Sequence, residues 1–280
     1  MKRPSSSRFL RVRVWERVLT FSPSSRGRGR QTVVVAMLLA EAVFAAPDAR
    51  HSGFDDMTSP LQAMQRDDAL NPAMLSVREG ELLWQRPPAP GEPACTACHG
   101  DATVSMRGVA TRYPAFSAAS QRPVTLHERI NECRVTQQHA APLGVESPAA
   151  LSLLGFVAMQ SRGLPIAPPT DARLQPARDA GAVLYTTRFG QLALSCAQCH
   201  DAQAGRRLGG SVIPQAHPTG YPLYRLEWQG MGSLQRRLRS CLVGVRAEPF
   251  AAGAPEWVAL ELFLMQRAAG LPLETPAVRP

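Results

Sequence analysis

Outside its first 45 residues the 280-residue chain has almost no net charge, with 22 basic side chains against 20 acidic ones, or +2. That balance excludes an extended phosphate-binding surface and with it a nucleic-acid-binding role. The formal excess of +9 comes mostly from residues 1–45, where nine basic side chains face Glu16 and Glu41. Also missing is an apolar run of the roughly 20 residues that cross a bilayer. The stretch "TVVVAMLLAEAVFA", Thr32 to Ala45, is shorter and is broken by Glu41. Finally, the cysteine in "SLQRRLRSCLVG", Ser233 to Gly244, has no neighbouring cysteine to pair with.

What is present at the start is a cationic stretch, an apolar run and small residues at Ala45 and Ala46, the pattern of a secretory signal. Residues 1–46 are expected to be removed near Ala45 or Ala46, sending the chain to the periplasm; an amphipathic N-terminal tail is the alternative. In an exported chain six cysteines would normally form three disulfides. The spacing points elsewhere. "CTACH" (Cys95 to His99) and "CAQCH" (Cys196 to His200) are both C-x-x-C-H, the attachment signature of c-type haem. Cys95 with Cys98, and Cys196 with Cys199, would each bind one porphyrin covalently, and His99 and His200 would ligate the irons. Zinc or thioredoxin-like chemistry is the competing use of such pairs.

The two motifs sit in two copies of one unit. "GELLW" (Gly80 to Trp84) and "GAVLY" (Gly181 to Tyr185) precede their first haem cysteine by the same 15 residues. Downstream, "ERINECRV" (Glu128 to Val135) matches "RRLRSCLV" (Arg236 to Val243), setting Cys133 against Cys241 and Arg129 against Arg237. "FVAMQSRGLP" and "LFLMQRAAGLP" close the copies as helices, with Pro148 and Pro255 in the first turn and Gly163 and Gly270 at the C′ position. The predicted fold is therefore mostly α, two tandem cytochrome c-like haem domains related by an internal repeat. An N-terminal extension (47–78) would be looped over the first domain (79–166). A linker (167–178) would lead to a second domain (179–280) that carries the active site.

Each haem iron needs a sixth ligand. Met106, His127, His139 and Met159 in the first copy, and His217, Met231 and Met265 in the second, occupy no equivalent places. Cys133 and Cys241 do. Leu126, Ile130 and Cys133, like Leu234, Leu238 and Cys241, recur at helical spacing on one apolar face. A Cys133–Cys241 disulfide and a pair of inert buried thiols stay open as alternatives. Thiolate ligation would favour ferric iron. Arg237 lies one helical turn before Cys241, flanked by Arg236 and Arg239, with Arg246 following. Such cations favour a thiolate and suit a small oxyanion; a solvated basic helix face is the alternative.

From about Ser52 to Pro280 the chain resembles the dihaem SoxA family, subunits of the SoxAX cytochrome and L-cysteine S-thiosulfotransferases of bacterial sulfur oxidation. The strongest segments are "LSCAQCH" (Leu194 to His200), "RLGGSVIPQAHPTGYPLYRLEWQGMGSLQRRLRSC" (Arg207 to Cys241) and "VRAEPFAAGAPEWVALELFL" (Val245 to Leu264). The string "SPLQAMQRDDALNPAM" (Ser59 to Met74) adds to them. The resemblance implies Cys133 as axial ligand of the first haem, and Cys241 as axial ligand of the second and active-site cysteine, carried as a persulfide. It implies Arg237 as substrate-binding residue and a monohaem SoxX subunit as partner. It further implies transfer of thiosulfate to a cysteine of the SoxYZ carrier, with two electrons passed to a cytochrome c. A thiosulfate dehydrogenase forming tetrathionate and a non-catalytic dihaem electron carrier are the rival functions.

Overall fold

The computed structural model describes residues 48–280; the expected signal segment lies outside the described residues. Proline sits in the first turn of four helices, where its missing N–H has no intrahelical acceptor to lose: α1 (Ser59–Arg66), α6 (Pro148–Met159), α7 (Gln175–Thr186) and α10 (Pro255–Arg267). Between α1 and α6 the chain forms α2 (Ala73–Gln85), the one-turn α3 (Cys95–His99), α4 (Ala102–Ser105), the strands β1 (Ala115–Ser117) and β2 (Arg122–Val124), and α5 (Leu126–Gln137). After α7 come α8 (Cys196–His200) and the strands β3 (Arg207–Leu208), β4 (Ser211–Val212), β5 (Leu223–Arg225) and β6 (Gly230–Gly232). Next are α9 (Leu234–Gly244), α10 and finally β7 (Ala277–Arg279). The fold is mostly helical, as expected.

Two crossed helix pairs organise the body. Helix α2 packs on α6, burying Met74, Val77 and Trp84 against Leu153, Phe156 and Val157. Helix α7 packs on α10, where Tyr185 meets Phe263 at 5.1 Å between ring centres. Both crossings depend on a glycine that lets backbones touch. A Cβ on Gly80 would collide with the Ser152 carbonyl and, at 2.7 Å, with Phe156; one on Gly181 would collide with the Ala259 carbonyl and, at 2.7 Å, with Phe263.

Three small sheets decorate these pairs. β1 and β2 are antiparallel with Ala115 opposite Val124, and β5 and β6 are antiparallel with Leu223 opposite Gly232. β7 adds parallel to β5, with Ala277 beside Leu223. β3 and β4 form a two-residue ladder.

The structure adds detail to the expected layout. The terminal helices end at Met159 and Arg267, so Gly163 and Gly270 lie beyond the caps. With φ of 80° and 88° they turn the chain so that the Gly163 N–H donates to the Leu273 carbonyl and the Gly270 N–H to Ile166, both at 2.8 Å. The two Gly-Leu-Pro tails thus pair with each other, through Pro165 and Pro272, instead of only closing their own helices. Residues 172–178 of the expected linker are helical, because Pro176 begins α7. Helix α2 starts at Ala73, inside the expected extension. The extension contacts the first half, where Arg162 donates to Asp68 at 2.7 and 3.0 Å and Met74 joins the core with Phe156. It is tied to the second half as well: Arg50 donates to the Arg267 carbonyl, Gln65 accepts from the Val278 N–H, and Asn71 donates to the Pro276 carbonyl.

Candidate functional site

Short helix α3 and the longer α5 face one another across a cavity of about 490 Å³. Its walls hold Cys95, Cys98 and His99 from α3, and Arg129, Ile130 and Cys133 from α5. Thr125 and Glu128 form a reciprocal cap that starts α5 at the right place. Trp84 lies 5.6 Å from the His99 ring and donates to the Gly100 carbonyl at 3.2 Å. Burial pushes the Cys95 thiol up. Beside Cys133 the charges are closed into a network. Arg129 bonds Glu132 at 3.1 Å, and Ser117 and Ser120 donate to the same carboxylate at 2.8 and 2.7 Å. Burial works against that carboxylate, but the bonds from Ser120, Ser117 and Arg129 outweigh it and hold Glu132 below its ordinary range.

The second cavity, about 180 Å³, is lined by His200 from the end of α8, by Arg237, Leu238 and Cys241 from α9, and by Tyr221 and Arg225 from the β5 segment. Ser233 caps α9, accepting from the Arg236 N–H at 3.1 Å, and its hydroxyl donates to Glu146. His200 donates through Nδ1 to the Pro214 carbonyl at 2.7 Å, which leaves Nε2 as the outward nitrogen. Burial pushes the Cys241 thiol up, yet a hydrogen bond with His200 and the charges of Arg237 and Arg225 together outweigh it, so the net displacement is downward. Cys196 behaves oppositely: burial and then the neighbouring Cys241 push it up to about 11. Burial also pushes Tyr221 up to about 12. Among the described residues no carboxylate lies within ion-pair distance of Arg237.

All six cysteines are free, and Cys133 and Cys241 line different cavities, so the disulfide alternative is not formed. Cys196 and Cys199 are placed on α8 beside His200. Of the other sulfur and imidazole candidates, Met106 shares the first cavity wall and His217 the second. His217 is held through Nδ1 by the His51 carbonyl at 2.7 Å. His127 bonds the Leu143 carbonyl, His139 bonds Glu92, Met159 packs against the first core, and Met231 and Met265 are buried in the others.

The arginine cluster resolves differently from its sequence neighbourhood. Arg236 turns away onto the Trp228 ring at 4.2 Å, Arg239 is exposed, and neither Arg239 nor Arg246 lines the cavity. From α9 only Arg237 lines the cavity, and two further guanidiniums come from Arg225 on β5 and from Arg279 on β7, the latter paired with Glu274. Sequence reasoning missed Arg225, and missed Tyr113 and Tyr221, which line the two cavities. The signal was available: "YP" stands 20 residues before each of Cys133 and Cys241.

The donor sets fit haem. In each cavity an imidazole from a C-x-x-C-H turn and a thiol from the facing helix share one wall, and the first cavity adds an apolar lining of Trp84, Val109, Leu126 and Val157. Among the described residues no helix is long and apolar enough to cross a membrane.

Comparison with known proteins agrees. The model of the SoxA/TsdA cytochrome c domain family matches residues 79–166, and a cytochrome c domain implies covalently bound haem c. The L-cysteine S-thiosulfotransferase subunit SoxA of Pseudaminobacter salicylatoxidans is 36% identical, over 81% of this chain and 80% of that protein. The SoxA subunit of Rhodovulum sulfidophilum is 32% identical, over 92% and 93%. The crystal structure of SoxXA from P. pantotrophus superposes with a TM-score of 0.79 at 31% identity, covering 82% of this chain and 87% of that one. With such similarity running through both cavities, the chain belongs to the SoxA family of L-cysteine S-thiosulfotransferase subunits.

Proposed function

We propose that this chain is the dihaem subunit of a periplasmic SoxAX complex that couples thiosulfate oxidatively to a cysteine of a SoxYZ carrier. The observation that carries the proposal is the second cavity, where Cys241 faces His200 and Arg237 stands on the same wall with no carboxylate among the described residues within ion-pair distance, the one acidic side chain of the lining, Asp56, being paired with His51. Residues 1–46 are the signal peptide, the mature chain binds two haems, and SoxX is the partner subunit, in keeping with the similarity to SoxXA. Two tandem domains derived from one unit (79–166 and 179–280) are supported by the matching helix crossings at Gly80 and Gly181 and by the paired tails.

In the proposed assignment Cys95, Cys98, His99 and Cys133 would hold the first haem, and Cys196, Cys199, His200 and Cys241 the second. Haem supplies the one-electron acceptor through which charge leaves for a cytochrome c. The protein's own work is placement. Arg237 draws the dianion to Cys241, whose sulfur, carried as a persulfide, mediates the coupling. Overall, the carrier thiol and thiosulfate form one sulfur–sulfur bond, giving the carrier S-thiosulfonate, one proton and two electrons, which reduce two ferric cytochromes c.

The test is incubation of the haem-loaded complex with thiosulfate, reduced carrier and ferric cytochrome c, followed by mass spectrometry of the carrier. One thiosulfonate per two cytochromes reduced supports the proposal. Tetrathionate formed equally without carrier would instead assign a thiosulfate dehydrogenase, and undiminished turnover by Cys241→Ala would leave only an electron carrier.

A further inference from the structure

The two cavities carry the same arginine on their helix but differ at two facing positions. Around Cys133, Arg129 is satisfied by Glu132, which Ser117 also bonds. In the ungapped register that sets Cys133 against Cys241, the place of Glu132 falls to Ser240 and that of Ser117 to Arg225. Ser240 turns its hydroxyl to the Arg236 carbonyl at 3.0 Å and offers Arg237 no charge. Arg225 stands on β5, with its side chain 13% exposed, held from behind: Nε donates to the main-chain oxygen of Pro280 at 2.7 Å, and one terminal nitrogen pairs with the largely exposed Glu227 at 2.7 Å. Its other terminal nitrogen has no partner among the described residues. Trp228 flanks the guanidinium at 5.2 Å.

Two guanidiniums lining one cavity repel each other, and burial together with the Arg237 charge lowers the proton affinity of Arg225. Glu227 balances one of the two charges from the solvent side, while the unpartnered nitrogen of Arg225 and the unpaired Arg237 share the lining of the Cys241 cavity. The supports behind Arg225 fix its orientation in advance, so an anion arriving between the two pays little ordering entropy.

We infer that Arg225 is a second substrate-binding residue, which grips the sulfonate oxygens of thiosulfate jointly with Arg237 and so leaves the sulfane sulfur directed at Cys241. The inference rests on the functional reading above. Such a grip would favour a dianion with a tetrahedral oxyanion end over sulfide or a neutral thiol, which give two guanidiniums too little charge or too few acceptors.

Two measurements separate this inference from its parent. Calorimetric titration of the haem-loaded complex with thiosulfate, in the absence of carrier, reads binding alone. Arg225→Gln should weaken it roughly 10-fold or more, Arg225→Lys should recover part of the loss, and Glu227→Gln, an exposed change that frees Arg225, should tighten it about 2-fold. In turnover, Arg225→Gln should raise KM by the same factor while kcat falls less than about 3-fold. Unchanged binding in Arg225→Gln, or no tightening in Glu227→Gln, overturns the inference even if wild-type turnover proceeds. Absence of wild-type carrier modification with the binding differences intact sinks the reaction assignment and leaves the anion site standing.

Discussion

Around Cys133 the arginine one turn upstream is already engaged by Glu132, whereas around Cys241 the matching turn presents Arg237 with no carboxylate in reach and with Arg225 beside it. The helices that carry these residues, their caps and the hairpins before them are alike: Thr125 and Ser233 cap α5 and α9, and β1–β2 and β5–β6 pair in the same sense. The electrostatics of each cavity are therefore set by a few side chains on a shared frame, and a closed ion pair gives way to two guanidiniums on one cavity wall by exchanging a serine and a glutamate for an arginine and a serine.

The contrast can be broken most severely at sulfur. Cys241→Ala should lower thiosulfate transfer to the carrier by about 1,000-fold or more, while Cys133→Ala should change it only a few-fold, as measured by carrier modification in the haem-loaded complex. Next in size is the arginine pair: Arg237→Gln should cost roughly 10- to 150-fold in kcat/KM and Arg129→Gln less than about 2-fold, since on the proposed reading only the first removes a charge that meets the substrate. At the helix crossings the two halves should respond alike. Gly80→Ala and Gly181→Ala each force backbones apart, and each should cost about 2–3 kcal/mol, visible as a melting temperature lowered by roughly 4–12 °C.

The smallest effect concerns Leu154 and Glu261, which line one cavity of about 90 Å³. Burial, reinforced by Glu128, pushes the Glu261 carboxyl up to about 8. In the unfolded chain it ionises near 4.5, so between these values the folded state keeps a proton the unfolded state has released, and stability falls as pH rises through that window. Glu261→Gln should flatten that slope, with little difference near pH 4 and a gain of about 1–2 kcal/mol at pH 8 in denaturant titrations. An unchanged slope would place the carboxylate in contact with solvent.

Much of this was legible before any coordinates. The C-x-x-C-H turns, the helices bearing Cys133 and Cys241, and the prolines opening α6 and α10 all rest on local rules that act within a turn or two. What escaped is non-local. Strands of three residues, such as β5, are too short to show alternation, so Arg225 carried no address. The inward turn of Arg237 and the outward turn of Arg236 onto Trp228 depend on where an indole happens to lie. Gly163 and Gly270 advertised a helix end correctly in kind, but their N–H groups reach acceptors more than 100 residues away, which no cap rule encodes.

Residues 276–278 hold an unusual position. The Pro276 carbonyl accepts from Asn71, Val278 N–H donates to Gln65, and the strand they begin lies along β5, so segments from opposite ends of the described chain meet at one seam. Such a seam couples the fates of distant parts of the polypeptide. Heating or denaturant should melt the whole body in one cooperative step, and the halves on either side of residue 170 should fail as separately expressed fragments.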